Sequence, residues 1–316
     1  MTIIDLLKFF KLADFFQLTK PIIEEIKQHI FFVVNMLKIL FLLDYTTISF
    51  YNINMERFHK LVEYVKTTCW LDNTDINIII EQAHKVFNEI TVNKTKKKKL
   101  YRLCGQTGSG KTSQLLATIE KLTDEQNLNP VVLGVRTWAE FHPNFEEFKK
   151  QFPSGELREK TNGFALKCMS YVLKLLIEND YMVLLDITLL DPIFEEFILS
   201  HLKENSYDIE YHILAVNKQI SDRFIEKRLK ETGRVIYKSS ADYFYKILPI
   251  GLKYLCENDN VNTCYVWTAF DLEPVYFGKI SDCFDKFIKA QSEIKELSYS
   301  EEELKNAKFL ALKKTY

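Results

Sequence analysis

The stretch Gly105-Gln106-Thr107-Gly108-Ser109-Gly110-Lys111-Thr112 constrains this chain more than any other feature. It follows a short apolar run, Leu100 to Cys104, and precedes a helical run from Ser113 to Leu122, so the pattern GxxxxGK[ST] lies in the strand–loop–helix context its chemistry needs. Glycines at 105, 108 and 110 let the backbone turn tightly and aim successive N–H groups at phosphate oxygens. The start of the following helix adds partial positive charge. Lys111 then reaches the β- and γ-phosphates of a nucleotide and the Thr112 hydroxyl ligates Mg²⁺, with Gln106, Thr107, Ser109 and Ser113 completing the cradle. Glycine is scarce here, nine residues in all, so a chance match to this motif is improbable.

Around the loop, short apolar runs alternate with longer amphipathic ones. Strands are expected at Leu100–Cys104, Val131–Val135, Tyr181–Asp186, Ile209–Val216 and Cys264–Thr268, and helices near 111–124, 157–179, 192–205, 218–232 and 239–257. That alternation predicts an α/β fold, a parallel sheet flanked by helices. Residues 1–92 read as helix throughout, for example at Ile22, Ile23, Ile26 and Ile30, and form an expected N-terminal helical domain. Five lysines in the six positions 94–99 interrupt the pattern, so 93–99 reads as a solvated linker. The phosphate-loop domain is then 100–280 and a helical tail 281–316.

The balance of 42 basic and 43 acidic residues gives no global field for nucleic acid or an anionic membrane. Cys69, Cys104, Cys168, Cys256, Cys264 and Cys283 show no zinc spacing and read as reduced thiols of a cytoplasmic protein. The start, MTIIDLLKFF, is a poor export signal. The apolar run Ile30 to Leu43 is interrupted by Asn35 and Lys38 and falls short of the ~20 residues a membrane span requires.

Asp186 ends the run VLLD at the carboxyl edge, where sheets of this kind place their ligands, and a carboxylate there can hold the shell of a Mg²⁺ ion. Asn217-Lys218 follows the fourth strand without the aspartate of a guanine-reading motif, so guanine choice is unsupported. Arg223 and Arg228 lie on the next expected helix and Arg234 just beyond it, where small-substrate kinases carry the arginines that close over a transferred phosphoryl group.

With these stretches together, the chain resembles the zeta toxin family of P-loop kinases. The likeness rests on GQTGSGKTS at 105–113, FHPNFEEF at 141–148, LLDIT at 184–188 and RFIEKRLKETGR at 223–234, and spans about Leu100 to Phe277. The resemblance implies transfer of the γ-phosphate of ATP, with Mg²⁺, to the sugar of a UDP-sugar such as UDP-N-acetylglucosamine. By the same likeness Lys111 and Thr112 hold nucleotide, Asp186 is the acid near substrate, Arg228 and Arg234 match the lid arginines with Arg223 competing, and His142, Pro143 and Asn144 shape the acceptor pocket.

One departure bears on mechanism. The family's strand-two aspartate, six residues before the histidine, is Arg136 here, and its companion acid is Gly134. Arginine cannot accept a proton at neutral pH. Either Asp186 or Glu140 substitutes, or the protein is an impaired nucleotide-binding module, or the acceptor is a different hydroxyl, such as a nucleoside, polynucleotide end or antibiotic. The family is held in check by a small helical antitoxin. The helical N-terminus here resembles such control acting in cis, with a helical extension that merely packs on the core as the alternative.

Overall fold

A computed structural model describes residues 55–65, 74–134, 138–152, 154–189, 192–232, 235–259, 262–269 and 273–293. The apolar run at 30–43, the charged tail from 301, Cys69, Arg136, Asp191 and Arg234 lie outside the described residues.

The chain divides into Met1–Arg57 and a larger compact unit, Phe58–Tyr316. In the larger unit six strands form one sheet: β1 (Lys99–Gly105), β2 (Val131–Gly134), β3 (Val183–Asp186), β4 (Asp208–Leu214), β5 (Thr263–Trp267) and β6 (Tyr276–Lys279). Their order is β2-β3-β1-β4-β5-β6. All pairings are parallel except β5 with β6. The expected all-parallel sheet is therefore mixed, because the chain returns beside β5 after a short connection and pairs Val266 with Tyr276 antiparallel.

β1 is buried along nearly its whole length, as a strand covered on both faces must be. On one face Tyr101 and Leu103 join Leu115, Ile119, Leu214 and Trp267 in a closed apolar cluster. On the other, Arg102 reaches Glu195 at 2.9 Å, both side chains almost fully buried. Insertion of β3 beside β1 pairs Leu103 with Asp186, bringing the two strand ends that carry the loop and the acid side by side.

Helices flank the sheet. Thr112–Leu116 makes one π-helical turn and continues as α3 (Ala117–Glu125), after α1 (55–65) and α2 (Ile76–Ile90). There follow α4 (Phe145–Gln151), α5 (Ser154–Glu178), α6 (Pro192–Glu204), α7 (Lys218–Thr232), α8 (Lys238–Asn258) and α9 (Phe284–Ser292). The sequence places α7 to the residue, and the short α4 emerges only in the structure.

The compact unit begins at Phe58, ahead of the Lys-rich segment at which composition suggests a division. Ile79, Ala83 and Val86 are the buried stripe of α2, which packs on α5. Phe58 meets the rings of Tyr171 and Phe197 at 4.9 and 6.2 Å. The Lys-rich segment is itself bonded to the sheet: Met182 N donates to Thr95 O at 2.9 Å, Thr95 N to Asn129 O at 2.9 Å and Asp208 N to Lys98 O at 3.0 Å. The exposed Lys96, Lys97 and Lys98 thus sit on an ordered, strand-extending backbone, which composition alone does not distinguish from a linker. Among the described residues no helix is long and apolar enough to cross a membrane.

Candidate functional site

The loop leaves β1 at Gly105 and takes the left-handed conformations that glycine tolerates at Gly108 (φ +81°) and Gly110 (φ +86°). Ser109 is buried and its N–H donates to Gln106 O at 3.1 Å. A Cβ on Gly105 would lie 2.7 Å from Ser109 Oγ, so the hydroxyl folds back beneath the loop.

Three sequence-selected residues converge at the ends of β1 and β3. The Lys111 ammonium pairs with Asp186 Oδ1, and Thr112 Oγ1 donates to Asp186 Oδ2 at 3.1 Å. Lys111 and Asp186 are both mostly buried, with 13% and 11% of their side chains exposed. A hydroxyl and a carboxylate oxygen side by side suit a hard divalent cation, and Mg²⁺ in such sites draws its remaining ligands from phosphate and water. Among the described residues no group of three or more His, Cys, Asp or Glu forms a protein-only cage. Thr112 and Asp186 are the residues that fit the ion.

Gly134 sits opposite Asp186 in the β2–β3 register, and a Cβ there would lie 3.9 Å from Asp186 Oδ2. An acid at 134 would therefore face Asp186 directly, and glycine supplies no carboxylate from β2 there. Glu120 on α3, which the sequence reading does not single out, has its carboxyl raised above its ordinary value, first by burial and then by Asp124 and Asp186. Its spacing of eight residues beyond Thr112, on the same helical side, is the only signal that could have found it.

Gln106 turns its side chain away from the cradle. Its amide nitrogen donates to Val216 O and, at 2.9 Å, to Ser221 Oγ on the first turn of α7. Ser221, Ile225 and Arg228 are spaced i, i+4, i+7 and share a face of that helix, whereas Arg223 is on the opposite side and exposed. Gly108 packs against that face: a Cβ on it would approach Ser221 O at 2.5 Å and Ile225 Cγ1 at 2.9 Å. Geometry thus places Arg228 and Arg223 on different sides of the helix, with Arg228, the better match in sequence, on the face that carries Ser221 and Ile225. Lys218 bonds Asp222 at 2.9 Å and Asp242 of α8 at 2.6 Å, tying the helices on either side of 233–237.

On the β2 side, His142 is buried between Phe148 and Phe164, with centroids at 5.0 and 4.9 Å. Its Nδ1 accepts from Asn144 N at 3.0 Å. That placement buries His142 within its loop, while Glu140 on the turn Ala139–Phe141 and Asn144 at the start of α4 are exposed. Trp138 Nε1 and Thr188 Oγ1, just past the ends of β2 and β3, are buried without a hydrogen-bond partner among the described residues. The side chain of Ser113 lies outside the described residues.

The zeta toxin family model matches residues 83–266. A structure from the PezAT chromosomal toxin–antitoxin system of Streptococcus pneumoniae aligns with a TM-score of 0.55 and 18% identity, covering 77% of this chain and 98% of that one. AvrRxo1-ORF1:AvrRxo1-ORF2 with sulphate ions aligns at a TM-score of 0.43 and 9% identity, over 82% of this chain and 84% of that one. The AvrRxo1-ORF1:-ORF2 structure with ATP aligns at 0.41 and 11%, again over 82% and 84%. A search of curated proteins finds no match.

Proposed function

The chain belongs to the zeta toxin family, with its P-loop kinase fold, and from that premise we propose that it transfers the γ-phosphate of ATP to a hydroxyl of a UDP-sugar such as UDP-N-acetylglucosamine. The observation that carries the reading is the convergence of Lys111, Thr112 and Asp186 beside the arginine-bearing face of α7.

In this reading the N–H groups of 105–111 and the Lys111 ammonium hold the β- and γ-phosphates, and Arg228, joined by Arg234, neutralises charge on the moving phosphoryl group. Mg²⁺ bound at Thr112 and Asp186 supplies charge neutralisation at the phosphate oxygens. The unpartnered donors of Trp138 and Thr188 support a polar acceptor entering from the β2 side. No dedicated aspartate stands at 136, so positioning and charge carry more of the rate. Control by a helical antitoxin, or by the N-terminal region in cis, completes the proposal.

The test is a mass-spectrometric search for a phosphate added to UDP-N-acetylglucosamine after incubation of the full chain with Mg-ATP. Product from the wild type and none from Lys111→Ala is expected. Arg136 favours a second reading, a nucleotide-binding module with impaired transfer: intact ATP binding with no product on any hydroxyl acceptor would establish it.

A further inference from the structure

Three observations meet at the junction between the phosphate loop and α7. The Gln106 side chain is almost fully buried, at 2% exposure, and its two amide hydrogens have two acceptors, Val216 O two residues past the end of β4 and Ser221 Oγ on the first turn of α7. One side chain of the loop therefore clamps both ends of the turn that connects β4 to α7. Acceptance by the Val216 carbonyl also fixes the orientation of the amide, since the reverse would set two oxygens together. Second, Gly108 seats the loop backbone on Ser221 and Ile225, so the contact is steric as well as polar. Third, Gln106 Oε1 has no hydrogen-bond partner among the described residues. A buried amide with an unsatisfied oxygen carries a cost in stability that is set against the two hydrogen bonds its nitrogen makes to the β4–α7 turn.

We propose that Gln106 is a positioning residue: through Ser221 it holds the Ser221–Ile225–Arg228 face of α7 in register with the phosphate loop, so that Arg228 meets the transferring phosphoryl group. The proposal rests on the kinase reading above and deepens it. Gln106 makes its contribution through a helix whose charged residue lies two turns away, and a displacement of that helix by about 1 Å is enough to cost about a hundredfold in rate.

The experiment is a double-mutant cycle on phosphate transfer by the full chain, with Gln106→Leu, Ser221→Ala, Arg228→Ala and the combination of Gln106→Leu with Arg228→Ala. Gln106→Leu should lower kcat about ten- to hundredfold while KM for ATP stays within about threefold, and Ser221→Ala should shift kcat the same way by less. Because Gln106 acts through Arg228, the double variant should be no slower than Arg228→Ala alone. If the losses of the two single variants multiply, or if Gln106→Leu raises KM and leaves kcat intact, the proposal is overturned while the kinase reading stands. Should Gln106→Leu fail to fold, Ser221→Ala with and without Arg228→Ala decides by the same criterion. A wild type that transfers phosphate to no acceptor removes the kinase reading and this inference with it.

Discussion

Gly108 lies so close to Ser221 that a Cβ on it would stand 2.5 Å from the Ser221 carbonyl oxygen. The backbone at Gly108 is also in the left-handed region, at φ +81°. Gly108→Ala therefore meets two penalties at once, a strained dihedral and a backbone clash that no rotamer relieves. Stability should fall by about 1–3 kcal/mol, and nucleotide affinity should fall with it because α7 and the loop must separate. Thermal unfolding and titration with a fluorescent ATP analogue measure both. An alanine variant with unchanged melting and affinity would show that the loop and α7 are not packed together.

Sequence reading succeeds where the determinants are local. Residues 105–112 and the run VLLD ending at Asp186 carry their geometry in consecutive residues, so both the loop and the acid beside it are legible in one dimension. β6 is not: the four residues Tyr-Phe-Gly-Lys form a strand only because β5 supplies the pairing. Arg223 competes with Arg228 in sequence, and the seat of Gly108 on Ser221 and Ile225 shows which face of the helix meets the loop, the one that carries Arg228. His142 shows the opposite limit. A histidine before proline reads as a surface turn or a ligand contact, whereas the rings of Phe148 and Phe164 bury it.

Arg102 and Glu195 form an ion pair across β1 and α6, at 1% and 0% exposure. Removing Glu195 takes from the buried Arg102 guanidinium the carboxylate that pairs with it. Glu195→Ala should destabilise by about 3–5 kcal/mol, whereas replacing both with apolar residues, Arg102→Met with Glu195→Leu, should recover most of that loss. Urea unfolding of the three proteins gives the comparison. A Glu195→Ala cost below about 1 kcal/mol would mean that water reaches the pair.

His201 bonds through Nδ1 to Phe197 O at 2.7 Å, so Nδ1 carries the proton and Nε2 presents a bare lone pair. That Nε2 is buried without a hydrogen-bond partner among the described residues, and burial, the leading cause, holds the imidazole below its ordinary value of 6.5. The unfolded chain thus takes up a proton near pH 6.5 that the folded chain refuses. Stability from this site is intact above that pH and is lost as pH falls from 6.5 to the depressed folded value. Melting temperatures between pH 7.5 and 5 should decline, and His201→Gln should flatten that part of the profile. Equal slopes in both proteins would assign the decline to other groups.

The boundary of the compact unit decides how to test control by the N-terminal region. A chain beginning at residue 93 would lose Phe58, Leu61, Ile79, Ala83 and Val86, all buried, and strip the cover from α5. It should aggregate or melt far below the full chain, and any loss of activity would say nothing about inhibition. A chain beginning at Phe58 keeps those contacts. It should fold, and a kcat several-fold above that of the full chain would identify residues 1–57 as inhibitory. Equal rates in a well-folded 58–316 protein would leave control to a separate antitoxin.

Arg136 offers the sharpest test of how the chemistry runs without the family's aspartate. A guanidinium cannot take the proton of an attacking hydroxyl, and Gly134 beside Asp186 adds no carboxylate of its own. Phosphoryl transfer tolerates that loss because charge and alignment supply most of the rate, yet a positioned base is commonly worth a factor of about 10² or more. Arg136→Asp should therefore raise kcat at least about tenfold, with Arg136→Asn as the control for removing positive charge alone. A gain for aspartate and none for asparagine, with turnover rising as pH climbs through the carboxylate range, would show that the acceptor hydroxyl sits beside position 136. If both variants are slower than wild type, Arg136 is itself binding a phosphate of the acceptor, and a substrate more anionic than a neutral sugar hydroxyl becomes the one to seek.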